Sequence, residues 1–253
     1  MRKLLVDNKY ELPIPIYLDL DAKKTGSRPA YASILKPRVM ASVAKNAWCT
    51  VEAYKYVIHN YEDLNGANII EYFGGMGCVT AKLYHECSTH SHIVVDIDES
   101  LARYLRETFP GIEVLCANTF DLVGTIDDID LAIWDSPNNT LKRLVEKGEF
   151  YYAFKKDLVR DTAPTYAIIT DTGWGWIHLH VEKYKALGLP VCGRDNYLEV
   201  LSDTLYDMYG YSIRFAATHK EAAHFVVTKG KPKPFDKVRA EDYGGKDFVR
   251  LLE

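Results

Sequence analysis

After the Asn65-Gly66 turn, short apolar runs alternate with stretches of helical periodicity, and this alternation restricts the fold more than any other feature of the chain. Runs at 68–73, 92–96, 112–115, 130–134 and 166–170 read as strands, while 79–87 and 100–108 read as helices. Crossovers of this length favour parallel pairing, because two parallel strands need a connection long enough to return along the sheet. A further helix is expected at 181–187. Segments 212–218 and 223–228 then form an antiparallel hairpin around His219-Lys220-Glu221. The expected fold is α/β, with a mostly parallel seven-stranded sheet and helices on both faces.

Three blocks follow from this grammar. Residues 1–64 are an arm with little periodicity, rich in Pro, Asp, Lys and Tyr through Pro37. One long helix or two short ones follow over 39–59, a stretch with no Pro or Gly. Residues 65–230 are the core. Residues 231–253 are a charged tail beyond a Lys-Pro linker, since alternating Pro and Lys offers neither packing surface nor a full set of backbone donors.

At 253 residues and 47% hydrophobic composition, the chain can bury one sizeable core. Its formal charge of −4 supplies no overall basic field, so nucleic-acid contact would need a local patch. Five cysteines without a C-x-x-C pair argue against a disulfide framework and a Cys-rich zinc site, and fit a reduced, cytoplasmic protein. Neither a signal peptide nor a membrane span is expected, and the sequence leaves the oligomeric state open.

Glu71-Tyr72-Phe73-Gly74-Gly75-Met76-Gly77 ends the first core strand and opens the first helix. Glycines there let the chain turn sharply and bring bare backbone close to a ligand. Thr80 replaces the third small residue of a dinucleotide fingerprint, and the acidic Glu71 suits a cation better than a pyrophosphate. The second strand ends in Val94-Val95-Asp96-Ile97-Asp98. Asp96 is placed to accept hydrogen bonds from both hydroxyls of a ribose, and Asp98 to cap the next helix.

These strand ends resemble those of class I S-adenosylmethionine-dependent methyltransferases with a Rossmann-like core, and Phe73-Gly74-Gly75-Met76-Gly77 is similar to the F-x-G-x-G first motif of DNA methyltransferases. The resemblance implies S-adenosylmethionine as cofactor. Glu71 would lie near its sulfonium or amino group, and Phe73, Gly75 and Gly77 would shape the pocket. Asn118 and Thr119 would occupy the position from which the family contacts the adenine amino group, with Asn in place of the usual Asp.

The fourth strand delivers Asp135-Ser136-Pro137-Asn138 to the edge of the sheet where α/β proteins place working groups. This resembles the acceptor motif of amino-methylating enzymes, and implies catalytic roles for Asp135, Pro137 and Asn138. Ser136 and Asn138 depart from it, because the second position is usually Pro or small and apolar and the fourth an aromatic ring. Trp174 and Trp176 are the candidate replacements for that ring. His178 and His180 alternate as ligands on a strand would, but no matching carboxylate or Cys cluster accompanies them, and no metal is expected.

Lys142, Arg143, Lys147, Lys155, Lys156 and Arg160 lie among aromatic residues between 150 and 154, a mixture suited to phosphate contact and stacking, or to a solvated helix face. The leading expectation is methylation of a nucleic-acid base or nucleotide in DNA or RNA, with an amino group favoured. Methylation of a small molecule or protein, a noncatalytic cofactor- or nucleic-acid-binding subunit, and a nicotinamide dehydrogenase are the alternatives.

Overall fold

The structure, a computed structural model, describes residues 2–6, 9–15, 17–18, 37–60, 66–135, 164–171, 182, 185, 196–220, 222–243 and 249–252. Its centre is an eight-stranded sheet: β3 (Asn68–Tyr72), β4 (Ser91–Asp96), β5 (Glu113–Cys116), β6 (Leu131–Trp134), β7 (Tyr166–Asp171), β8 (Tyr211–Thr218), β9 (Ala223–Lys229) and β10 (Asp236–Arg239), in the order β10-β8-β9-β7-β6-β3-β4-β5. Only β9 runs antiparallel to its neighbours, on β7 and β8. The fold is therefore the mostly parallel α/β sheet that the strand pattern predicts. It carries one strand more than expected.

Central strands of such a sheet are covered on both faces, and for that reason they read as unbroken apolar runs. Leu131, Ala132, Ile133 and Trp134 are all buried in β6. On one face, Ile69, Val94 and Ile133 pack with residues of helices α1 (Pro37–Asn60), α2 (Cys78–Glu86) and α3 (Glu99–Thr108). On the other, Ile70, Val95 and Ile169 pack with Leu198, Leu201 and Leu205 of α5 (Tyr197–Tyr209). The short helix α4 (Thr119–Leu122) follows β5. None of the described helices is long and apolar enough to cross a membrane.

Three stretches of the chain differ from expectation. The opening segment contains two strands, β1 (Arg2–Val6) and β2 (Tyr10–Ile14), which pair antiparallel and form a second sheet with β11 (Val249–Leu252) in the order β11-β1-β2. Leu4, Val6, Leu12 and Ile14 alternate inward at period two. Prolines at 13 and 15 obscure that pattern, and the partner β11 lies at the far end of the chain. The Tyr10 ring stacks on His85 of α2 at 4.5 Å, and its hydroxyl donates to Glu86 at 2.7 Å, which ties the small sheet to the core.

The stretch expected as a charged tail contributes both β10 and β11 to sheets. In β10 only Val238 is even partly buried, so backbone pairing with β8, which leaves no apolar pattern, defines this strand. Arg214, buried in β8, donates to the carbonyls of Lys231 and Lys229, fixing the start of the Lys-Pro run. Helix α5 went unpredicted although Leu198, Leu201 and Leu205 recur at helical spacing. Of the helix expected at 181–187 the structure describes Glu182 and Lys185, both helical and joined by an ion pair at 2.8 Å.

Candidate active site

In an open α/β sheet the ligand crevice lies beyond the carboxyl ends of the strands, where successive connections diverge to opposite sides. That point here falls between β3 and β6. From β3 the chain runs outward through β4 to β5, then crosses back to β6 on the other side of β3. The loop Phe73–Gly77 leaves β3 at this point, and Asp135 leaves β6 directly beside it.

The glycine loop is held in conformations that L side chains resist. Phe73, Gly75 and Gly77 all have positive φ, at 65°, 53° and 73°. For Phe73 this is a strained state of the kind that concentrates at functional sites. Its ring lies edge-on to Phe120 at 6.2 Å. Gly77 and Gly75 serve different purposes in the loop. A Cβ on Gly77 would fall 2.8 Å from the Phe109 ring, so Gly77 faces α3 and permits close packing. Among the described residues a Cβ on Gly75 would meet only the Phe73 carbonyl, at 3.8 Å, so none of them crowds its backbone. A ligand can approach the chain there.

Asp96, at the end of β4, is largely buried. One carboxylate oxygen accepts the Gly75 N–H at 2.8 Å and the other the Asp98 N–H at 2.9 Å. Burial raises its pKa, while these backbone donors act in the opposite direction. Asp98 caps α3 as expected, accepting from Ser100 and Leu101. Between them Ile97 is 70% exposed, the most exposed of the described large apolar residues, on the same strand end. Sequence reading passed over it, since a single exposed apolar residue carries no local signal.

The Glu71 carboxylate lies beneath the loop and is buried. It accepts the Thr80 hydroxyl at 2.9 Å, and His92 Nε2 lies 3.4 Å away. Asn118 is exposed and caps α4 through its side-chain oxygen, which accepts the Phe120 N–H at 3.2 Å; Thr119 is buried behind it. The oxygen assigned to an adenine contact thus holds one hydrogen bond and keeps a second lone pair.

Asp135 is partly buried, and burial pushes its carboxyl up to about 6, helped by the negative charge of Glu71 and opposed by the Thr170 hydroxyl at 3.1 Å. Behind Thr170 stand His224 of β9 and Asn46 and Thr50 of α1, with His219 in the β8–β9 turn. None of these four was anticipated. Pro137, Asn138, Trp174 and Trp176 lie outside the described residues, as do His178, His180 and the basic cluster at 142–160.

The topology and this strand-end geometry define a Rossmann-like fold of the class I methyltransferase type. Two solved structures of that fold are similar to this chain. One is the methyltransferase domain of bacterial CtHen1-C, at TM-score 0.50 and 15% identity over 72% of this chain and 100% of that one. The other is the plantazolicin methyltransferase BpumL in complex with SAH, at TM-score 0.52 and 8% identity over 85% of this chain and 94% of that one. No family model and no curated protein matches the sequence.

Proposed function

We propose that the chain is an S-adenosylmethionine-dependent methyltransferase whose catalytic core spans 65–230 and whose acceptor site is built around Asp135. The observation that carries this reading is the convergence at one switch point of three features: the open backbone at Gly75, the Asp96 carboxylate bonded to it, and Asp135 on the adjoining strand. Support for the cofactor comes from the fold shared with BpumL, which is described in complex with SAH.

Bound S-adenosylmethionine supplies an electrophilic methyl group on a sulfonium. This chain's part is to position, and to manage charge. In this reading the Phe73–Gly77 loop would hold the methionine portion, with the buried Glu71 carboxyl group beneath it. Asp96 takes one or both ribose hydroxyls on the lone pairs that its backbone donors leave, since each carboxylate oxygen accepts more than one hydrogen bond. Ile97 offers an apolar edge to the adenine, and the Asn118 side chain retains its amide hydrogens for a ring nitrogen.

The favoured acceptor is an exocyclic amine of a nucleic-acid base or nucleotide, held by Asp135 with Pro137 and Asn138 and stacked on Trp174 or Trp176. The strand-end order Asp135-Ser136-Pro137 supports it. Incubating the protein with methyl-labelled S-adenosylmethionine and, separately, DNA, RNA and a cell extract freed of both tests the assignment. Label in either nucleic acid supports the base reading; label in protein or small molecules alone replaces it.

A further inference from the structure

A continuous hydrogen-bonded path runs from Asp135 into the interior of the domain. Thr170 Oγ1 lies 3.1 Å from Asp135 Oδ1 and 3.0 Å from His224 Nδ1. Thr50 Oγ1 also reaches His224 Nδ1, at 2.9 Å. On the far side of the ring, His224 Nε2 lies 3.1 Å from Asn46 Oδ1, which His219 Nε2 approaches at 2.8 Å. Thr50, Thr170, His219 and His224 are all buried.

Counting hydrogens along this path shows what it can hold. Asn46 Oδ1 is only an acceptor, so both histidines present Nε2–H to it. A neutral His224 then has a bare Nδ1. Thr170 owns one hydroxyl hydrogen but faces two acceptors, Asp135 Oδ1 and that Nδ1. Pointing it at one leaves lone pair against lone pair at the other. One added proton removes the conflict in either of two ways. On Asp135, it donates to Thr170, which donates to His224. On His224 Nδ1, it donates to Thr170, which donates to Asp135. Between Asp135 and His224 the two arrangements differ in the direction of two hydrogen bonds; the Thr50 hydroxyl, 2.9 Å from the same Nδ1, donates to the Asn46 backbone carbonyl at 3.2 Å and leaves Nδ1 to Thr170.

We propose that Asp135, Thr170 and His224 form a chain that takes up one proton at the acceptor site, with Asn46 and Thr50 as positioning residues that fix the ring and tautomer of His224. The proposal rests on the methyltransferase reading, because methylating an N–H or O–H acceptor releases a proton. The acceptor's bond to the methyl carbon forms and the carbon–sulfur pair stays on sulfur. The acceptor's N–H or O–H bond breaks, and its proton passes to the Asp135 carboxylate. Burial and His219 push His224 well below an ordinary histidine while Asp135 is raised to about 6, so the stored proton rests at the Asp135 end. Among the described residues Glu71, Cys49 and Cys78 are the other titratable groups within electrostatic reach of Asp135, from β3, α1 and α2. The two thiols are held neutral at these pH values by burial.

The test is NMR of the histidine ring nitrogens in the ligand-free, full-length protein between pH 8 and pH 5. At pH 8 the His224 ring should be neutral with hydrogen on Nε2. As pH falls through about 6, its Nδ1 resonance should shift while the ring stays neutral, because Thr170 turns its hydrogen toward it. In Thr170→Val the shift should vanish although the Asp135 carboxyl carbon still titrates, and Thr170→Ser should restore it. An Nδ1 resonance that stays constant in the wild type, or a shift that persists in Thr170→Val, would overturn the proposal. Should Thr170→Val not fold, Asp135→Asn serves instead: a His224 shift that survives in that variant is equally fatal. Calorimetry with S-adenosylmethionine on the same samples reports on the methyltransferase reading by itself, so either idea can fail while the other stands.

Discussion

The Asp96 carboxylate accepts the backbone N–H of Gly75 at 2.8 Å, so the end of β4 sets the position of a loop that belongs to β3. Asp96 accordingly both shapes the loop and, in the proposed function, holds the ribose. Asp96→Ala should weaken S-adenosylmethionine binding by roughly 10- to 100-fold, the equivalent of losing about 1.5–3 kcal/mol of hydrogen bonding to a charged group. Asp96→Asn, which keeps one acceptor oxygen, should lose less. Calorimetric titration of both variants checks the order; equal affinities across wild type, Asn and Ala would remove Asp96 from the site.

Neighbouring glycines should separate packing from binding. A Cβ on Gly74 would fall 2.3 Å from Val94 Cγ1 and 3.1 Å from Leu105 Cδ1, deep in the core. Gly74→Ala should cost about 1–3 kcal/mol of stability, as overpacking generally does. At Gly75 a methyl group meets no crowding, and Gly75→Ala carries only the cost of a left-handed backbone, about 1–2 kcal/mol. Its larger effect should be on the ligand, since the methyl group occupies the open side of the loop. Thermal melts set beside titrations will show whether affinity falls mainly at Gly75, as expected, or mainly at Gly74.

Asp135 and His224 give opposite pH dependences. Asp135 has a folded pKa of about 6, above its ordinary 3.8, so folding favours its protonated form. Its stabilising contribution is complete below about pH 3.8 and is lost as pH rises through about 6. His224 is lowered, so its contribution is present above about 6.5 and is lost as pH falls toward its folded value. Asp135→Asn should therefore raise Tm at pH 7.5 relative to wild type and gain little at pH 4. The ceiling of that gain is on the order of 3 kcal/mol, at 1.36 kcal/mol per pKa unit. Melting curves of both proteins at the two pH values decide it, and a gain that is larger at pH 4 would contradict the burial argument.

The core of the fold was legible in the sequence because both periodicities are strong where the sheet is covered on both faces. Strands β3 to β9 begin and end within a residue or two of the apolar runs, and Asp98 announces its helix through its own cap. What escaped was long-range or weakly patterned. β1 needs β11 from the opposite end of the chain, and β10 is made by backbone bonds among exposed side chains. The same limit applies at the site. Asp96 and Asp135 stand out because each ends an apolar run, and Glu71 because it interrupts one just before the glycine loop, whereas the path behind Asp135 joins α1, β7 and β9 from residues separated by up to 178 positions. No local spacing encodes such a meeting. Only the sheet order, which brings β9 beside β7, creates it.

Titration of the purified protein with S-adenosylmethionine and S-adenosylhomocysteine, with NADH as the control, tests the central claim most directly. The account predicts saturable binding of the first two, weakened in Asp96→Ala and Gly75→Ala, and none of NADH. Absence of binding to both, in a protein that melts cooperatively, would contradict it.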